Sequence, residues 1–102
     1  MQHDLFVNPN RRARPIYPLL VVLQADVVEG NGHIVAPLTT TAIVPAPPRR
    51  ALPVVSHGGQ TYVVLMRLLG FLSVRHLGGP VGSIAQYRDD LTRALDWLFF
   101  GI

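Results

Sequence analysis

The segment Val54 to Val64, with the sequence VVSHGGQTYVV, decides the fold that we expect for this chain. Two runs rich in β-branched residues flank the dipeptide Gly58-Gly59. Glycine pairs between such runs are typical of two-residue hairpin turns, because the favoured turns need positive φ angles. The segment therefore predicts an antiparallel β-hairpin with strands Val54–His57 and Gln60–Val64.

Further short strands are predicted on both sides of this hairpin. Nine prolines and nine glycines are spread along the chain, a spacing that favours short strands over long helices. The dominant candidate is Ile16–Val28, whose odd positions are all apolar, and Pro18 gives it a bent or edge start. The remaining predictions are strands at Leu5–Val7, His33–Leu38 and Thr39–Val44, an exposed loop at Pro45–Arg50, a turn with a short strand in Leu65–Arg75, and a loop at Leu77–Gly82.

One segment near the end of the sequence has helical periodicity. Ser83 and Gln86 form a predicted capping box, and the helix is expected to run to about Phe99. An apolar stripe at helical spacing would face the core; its members are Ile84, Tyr87, Leu91, Ala94, Leu95 and Leu98. Trp97 and Phe100 fall outside this stripe, among charged residues, so they predict a surface for a partner or for a second copy of the chain.

Composition places the chain among single-domain globular proteins. Residues 1–102 are expected to form one domain, with 49% hydrophobic and 15% charged residues. The absence of cysteine excludes a disulfide scaffold and a thiolate zinc site, and the start has no signal-peptide pattern. We expect a cytoplasmic protein without a membrane anchor, since the longest clean apolar run, Leu19–Leu23, is too short for a membrane span.

The net charge is +3, and all nine cationic side chains are arginines. Two clusters stand out, Arg11-Arg12-Ala13-Arg14 and Arg49-Arg50. Arginine binds phosphate and carboxylate groups through two parallel N–H donors. A solvated loop and a contact with nucleic acid both fit such clusters, although the interleaved aromatic residues of a single-strand stacking platform are absent.

The sequence predicts binding rather than catalysis. Its four histidines lack the spacing of metal ligands and have no acidic neighbour that would orient them. Ser56-His57 lies in the predicted hairpin, and the segment from Gly78 to Gly82 lacks the lysine ending of a phosphate-binding loop. We therefore expect no catalytic residue, no metal site and no cofactor.

Several stretches in a fixed order resemble one protein family. They are LLVVLQADVV (19–28), IVAPL (34–38), LPVVSHGGQTYVV (52–64) and LFFGI (98–102), together with the start Met1-Gln2. In this order, and over a chain of this length, they resemble the CcdB toxins of toxin–antitoxin systems. The resemblance implies a mostly β fold with one C-terminal helix, an SH3-like antiparallel β-barrel of the type shared with the MazF ribonucleases.

The resemblance also implies partners. Proteins of this family are homodimers that bind the A subunit of DNA gyrase and trap the enzyme on cleaved DNA, without a catalytic site of their own. A CcdA-type antitoxin extracts the toxin, and the complex of the two represses its own operon. Operator DNA is thus contacted only through the antitoxin complex, and no membrane is involved.

The gyrase-binding residues that the resemblance implies are Val27, Val28, Asp96, Phe99, Phe100, Gly101 and Ile102. Gly101 and Ile102 match the family's Trp-Gly-Ile end, whereas Phe100 replaces its tryptophan and Asp96 replaces an asparagine. Phenylalanine has a smaller π face than tryptophan. The resemblance implies that the family's tryptophan stacks on an arginine of gyrase. With phenylalanine in its place, this attraction is expected to be weaker by about 1 kcal/mol, or roughly tenfold in affinity.

Two other functions stay open from the sequence. The MazF-type endoribonucleases use the same barrel and cut mRNA by acid–base catalysis. The residues of this chain that are available for that chemistry are Arg11, Arg12, Arg14 and His33. The replacements at Phe100 and Asp96 also fit a family member with lost or weakened toxicity, which would act as an antitoxin-binding regulator.

Overall fold

The computed structural model of the protein describes residues 1–28, 30–44 and 52–101. Within these ranges the strands and the α-helix are β1 (Asp4–Val7), β2 (Leu19–Val22), β3 (Gly32–Thr40), β4 (Val54–His57), β5 (Gln60–Val64), β6 (Gly70–Ser73), β7 (Gly82–Ser83) and α1 (Arg88–Phe100). Short 3₁₀ turns lie at Met66–Leu68, Val74–His76 and Ala85–Tyr87. The predicted loop Pro45–Arg50 lies outside the described residues.

The strands pair antiparallel in the order β4-β5-β3-β2-β1-β7. β3 is the longest strand, and one of its edges pairs with β2. Its other edge pairs with β5 over residues 38–40 and with β6 over residues 32–35. The β4–β5 hairpin has the predicted bounds, with His57 opposite Gln60, so that prediction is confirmed.

The two ends of this strand order meet through side chains. Tyr87, which follows β7, accepts a hydrogen bond from the main-chain N–H of Ser56 in β4 at 3.1 Å. The imidazole ring of His57 covers Gly82 of β7 so closely that a Cβ atom there would overlap the ring. The sheet therefore curls into a nearly closed antiparallel barrel. This confirms the predicted fold class, a mostly β, SH3-like barrel with one C-terminal helix.

Both faces of β2 are buried. Leu19 and Val21 belong to the main core, which also contains residues of α1, whereas Leu20 and Val22 pack with Phe6 in a smaller cluster. A strand that is covered on both faces needs no polar alternation, which explains the unbroken apolar run LLVV. Burying each of these side chains fully contributes about 1.5–3 kcal/mol.

β2 is shorter than the predicted strand Ile16–Val28, which is wrong at both ends. At the start, the main-chain N–H of Tyr17 donates to the carbonyl of Ala13, so this part of the chain is a turn. At the other end, β2 stops at Val22; the N–H of Leu23 still donates to the carbonyl of Ile34, and the chain leaves the ladder after it. Because β2 lies between β1 and β3, Pro18 marks a bend and not an edge.

The predicted strand Thr39–Val44 is also wrong. Thr39 and Thr40 extend β3, so the predicted strand His33–Leu38 is confirmed but longer. Ile43 and Val44 donate their main-chain N–H groups to Thr40 in a turn. β-branched composition favours a strand only where a neighbouring strand accepts the main-chain hydrogen bonds, and here the chain turns instead.

α1 begins later than the capping box predicts. Ser83 Oγ accepts the N–H of Ala85 at 3.2 Å, and a 3₁₀ turn precedes the helix. The apolar stripe is confirmed, with buried Ile84, Leu91 and Ala94 and partly buried Tyr87, Leu95 and Leu98 in the main core. No helix in the described ranges combines the length and apolarity needed to cross a membrane.

Candidate protein-binding surface

The last turn of α1 presents three aromatic side chains to solvent, and Trp97 is the least exposed of them at 36%. Phe99 is 63% exposed and Phe100 is 73% exposed. The helix ends at Gly101, whose φ of 73° is left-handed and whose N–H donates to the carbonyl of Trp97 at 3.0 Å. Glycine adopts this conformation without the strain that a Cβ atom causes. The C-cap thus fixes the point at which the helix stops, and Ile102 lies outside the described residues.

The exposure of these rings follows from packing on the other side of the helix. Leu91 and Ala94 are fully buried, and Leu98 packs against the same core. Successive helical residues point about 100° apart, so Phe99 and Phe100 cannot share the side that Leu98 uses. Large apolar side chains that stand together on a surface mark an interaction site more often than scattered ones do.

Asp96 adds a negative charge to this end of the helix. Its side chain is exposed and forms no ion pair among the described residues. A carboxylate near a helix C-terminus costs about 0.3–1 kcal/mol at low ionic strength, because the helix dipole is negative there. No basic residue in the last turn offsets this cost. The aromatic rings and the carboxylate together are complementary to a partner with cationic side chains.

The β2–β3 loop exposes a second apolar group. Val27 is 84% exposed and Val28 is 53% exposed, although both are aliphatic residues. The N–H of Val28 donates to the carbonyl of Ala25 at 3.0 Å, so the pair lies in a tight turn. Exposed valines remove little apolar area from water and add little to folding. Their side chains are available to a partner.

Gln24 braces the base of this loop. Its Oε1 accepts the N–H of Ile34 at 3.0 Å, and its Nε2 donates to the carbonyl of Gly32 at 3.3 Å. These bonds tie the first residues of the loop to the start of β3. They also replace the ladder hydrogen bonds that a longer β2 would have made, which is the physical reason that the predicted strand stops early.

Asp26 holds the turn itself. Its carboxylate accepts the main-chain N–H of Gln2 at 2.8 Å and contacts the amino group of Met1 at 3.2 Å. The hydrogen bond from Gln2, followed by the bond from the amino group, lowers the pKa of Asp26. The carboxylate is therefore the form that is held next to Val27.

The sequence-predicted site residues thus fall into two groups with separate supports. Phe99, Phe100 and Asp96 stand on α1, which packs on the main core. Val27 and Val28 stand on a loop tied to β3 and to the first residues of the chain. A partner that uses both groups must contact two elements of the barrel.

Phe71 on β6 is a further exposed aromatic residue, and the sequence patterns do not predict its exposure. It is 68% exposed, and its ring lies over Gly32, where a Cβ atom would overlap it. The ring of Phe71 covers the main chain at Gly32, a position that must have no side chain for the ring to fit there. A glycine at the start of a strand is the signal that points to such a close approach.

The structure separates the residues that a ribonuclease would need. Arg11, Arg12 and Arg14 precede β2, whereas His33 stands in β3 beyond the other end of β2. Four strand residues span about 10 Å. Among the described residues, no group of three or more acidic or histidine side chains is arranged to hold a metal ion.

Nearly the whole sequence matches one known protein family. A sequence model of the CcdB protein family matches residues 2–101, a range that contains Val27, Val28 and the end of α1. No curated protein matches the sequence. Because the family match spans nearly the whole chain, the chain belongs to the CcdB family.

Proposed function

We propose that this CcdB family member is the toxin of a toxin–antitoxin module that binds the DNA gyrase A subunit and inhibits the enzyme. The gyrase-binding residues are Val27, Val28, Asp96, Phe99, Phe100, Gly101 and Ile102. The toxin acts as a homodimer in the cytoplasm, and a CcdA-type antitoxin neutralises it. Operator DNA is recognised only by the toxin–antitoxin complex.

The exposed end of α1 is the observation that carries this proposal. Phe99 and Phe100 are mostly exposed on a helix whose opposite side packs on the main core through Leu91 and Ala94. Folding gains little from the exposed parts of these rings, whereas a protein partner can bury that exposed apolar area. Aromatic rings are also the side chains that most often dominate binding free energy at protein interfaces.

Charge supports a basic binding site on the partner. A guanidinium group over the face of Phe100 would gain about 0.5–1 kcal/mol where it stays exposed, and more where it is desolvated. Asp96 stands four positions earlier on the helix and adds a carboxylate to the same turn. Both groups favour an arginine-bearing partner surface.

The proposed inhibition is stoichiometric, because the toxin acts by binding and not by turnover. Purified protein should inhibit the supercoiling activity of gyrase from the same organism in proportion to the toxin bound. A truncated chain without residues 100–102 should fold but lose this inhibition. Unchanged inhibition by the truncated chain, with a normal circular dichroism spectrum, would overturn the assignment of the site.

Growth of the host separates the toxin from a regulator with lost toxicity. Expression without the antitoxin should stop growth, and co-expression with the antitoxin should restore it. Normal growth with intact fold and intact antitoxin binding would identify the regulator instead. Sedimentation of the purified chain at micromolar concentration should give the mass of a dimer.

A further inference from the structure

The β1–β2 loop, residues 8–18, carries three arginines that are not among the proposed gyrase-binding residues. Arg11 and Arg12 are exposed, and Arg14 is half-buried. The loop joins β1 to the start of β2, whereas the loop with Val27 and Val28 leaves the other end of β2. The arginines therefore belong to a different end of the strand from the apolar turn.

Two asparagines hold the main chain of this loop in a fixed shape. Asn8 is buried at 7% exposure, and its Nδ2 donates to the carbonyl of Tyr17 at 2.9 Å. Its Oδ1 accepts the N–H of Asn10 at 3.0 Å. Asn10 Oδ1 in turn accepts the N–H groups of Arg12 at 3.0 Å and Ala13 at 3.3 Å. The turn that carries the arginines is thus ordered before any partner binds.

Two further bonds fix the loop to the barrel. Arg14 Nε donates to the carbonyl of Asn8 at 2.9 Å, which closes the loop on itself. The hydroxyl of Thr39, a fully buried residue of β3, donates to the carbonyl of Ile16 at 2.7 Å. An ordered loop loses less conformational entropy on binding than a flexible one does.

The positive charge of this loop has no local compensation. No acidic residue occurs between Asp4 and Asp26 in the sequence. Arg11 and Arg12 form no ion pair with the described carboxylates, whereas Arg93 on α1 is paired with Asp90 at 3.0 Å. Two exposed arginines at successive positions therefore lack a counter-charge among the described residues.

The exposed side chains that this loop offers to a ligand are donors. The side-chain oxygens of Asn8 and Asn10 already accept hydrogen bonds within the loop. The exposed guanidinium groups of Arg11 and Arg12 have only N–H donors. A matching ligand presents acceptors and negative charge, as phosphate oxygens do, whereas a peptide main chain brings donors as well.

We propose that the β1–β2 loop binds the phosphate backbone of nucleic acid through Arg11 and Arg12, independently of base sequence. This contact is separate from operator recognition, which needs the antitoxin, and it does not rest on gyrase binding. Contacts of this kind release counterions. The logarithm of the association constant therefore falls with the logarithm of the salt concentration, with a slope of about 0.9 per neutralised phosphate. Dissociation constants for such sequence-independent binding are on the order of 10⁻⁴–10⁻⁶ M.

Fluorescence anisotropy with a labelled duplex of random sequence tests this proposal on the full chain. The double variant R11Q/R12Q should bind at least about fivefold more weakly than the natural chain at 50 mM salt, and its salt slope should fall by about 2. The matched control R75Q/R93Q also removes two exposed positive charges, and it should keep most of the affinity and slope. The melting temperature of each variant confirms that the barrel is intact.

Three outcomes would overturn the proposal. In the first, the natural chain binds no duplex at 50 mM salt. In the second, both double variants lose affinity equally, which would assign duplex binding to the net charge of the protein. In the third, a polyglutamate peptide of equal charge binds the loop more tightly than the duplex does, which would identify an acidic protein as the partner. Loss of duplex binding in R11Q/R12Q with unchanged gyrase inhibition would confirm that the two functions are separate.

Discussion

The two sides of α1 differ in what they contribute to the molecule. On one side, Leu91 and Ala94 are buried against the sheet. On the other side, Phe99 and Phe100 stand mostly in solvent at the end of the same helix. The first side stabilises the fold, and the second adds almost nothing to it. Apolar residues in one short helix can thus serve two purposes, and burial separates them.

The β2–β3 loop repeats this difference on a smaller scale. Val21 and Val22 are buried on the two faces of β2, whereas Val27 and Val28 in the next turn are exposed. The side chain of Gln24 marks the change from one role to the other. Substitutions on the two sides of each boundary should therefore affect different measurements.

The largest expected effect is on stability. Leu91→Ala should lower the free energy of unfolding by about 2–5 kcal/mol, because it removes a fully buried side chain and leaves a cavity. Urea denaturation measures this change. The exposed neighbour Thr92, changed to alanine, should alter stability by only about 0.5 kcal/mol. A loss below about 1 kcal/mol in Leu91→Ala would contradict the assigned core.

The brace of the β2–β3 loop should affect binding more than folding. Gln24→Ala removes the acceptor for the Ile34 N–H and should weaken gyrase binding about tenfold, since the two valines are no longer held in place. Exchange of the Ile34 amide hydrogen should become faster. Gln24→Glu keeps an acceptor for that N–H and should retain part of the affinity. Equal gyrase binding by Gln24→Ala and the natural chain would show that the hydrogen bonds of Gln24 do not hold the two valines in their binding position.

Much of the fold could be predicted from the sequence where the signal was local. Gly58 and Gly59 have φ angles of 57° and 78°, values that favour glycine, so the hairpin was predicted to the residue. The helix stripe was also local. The end of β2 was not, because apolar residues alternate with Gln24 and Asp26 from Leu23 to Val27, which is a strand pattern. Only the tertiary contacts of Gln24 end the strand.

The candidate site was predictable in part. The sequence shows that Phe100 falls outside the helix stripe, and the structure gives its exposure. Val27 and Val28 have no local signal, since an exposed valine and a buried one look alike in a sequence; only the family resemblance pointed to them. The hydrogen bond between Asp26 and Gln2 joins residues 24 positions apart, so no local pattern contains it.

A smaller effect tests the aromatic ring itself. Phe100→Trp restores the larger π face and should strengthen gyrase binding about tenfold, or by about 1 kcal/mol. Stability should not change, because the side chain is exposed in both proteins. Titration calorimetry with the gyrase A fragment measures the difference. Unchanged or weaker binding would show that this ring does not meet a cation on the partner.

The smallest expected effect is a pH dependence near the start of the chain. Burial, and then the charge of Arg88, lower the pKa of His3, while Asp26 and Asp4 raise it. The unfolded chain therefore binds more protons than the folded one below about pH 6.5, so stability falls as the pH drops through this range.

His3→Asn isolates this contribution, because asparagine tolerates the left-handed φ of 68° at this position. The loss of stability between pH 7.5 and pH 5.5, measured by urea denaturation, should be smaller in His3→Asn than in the natural chain. An equal loss in both proteins would assign the pH dependence to other groups.

The central claim is that the end of α1 binds gyrase. It is tested most directly by the affinity for the gyrase A fragment of a double variant at Phe99 and Phe100 and of a control variant at Phe71. Phe99→Ala/Phe100→Ala should bind at least about thirtyfold more weakly than the natural chain, corresponding to about 2 kcal/mol, with an unchanged free energy of unfolding. Phe71→Ala removes a ring that is 68% exposed elsewhere on the barrel and should bind like the natural chain. Natural affinity in the double variant, or an equal loss in Phe71→Ala, would contradict the assignment of the helix end as the binding site.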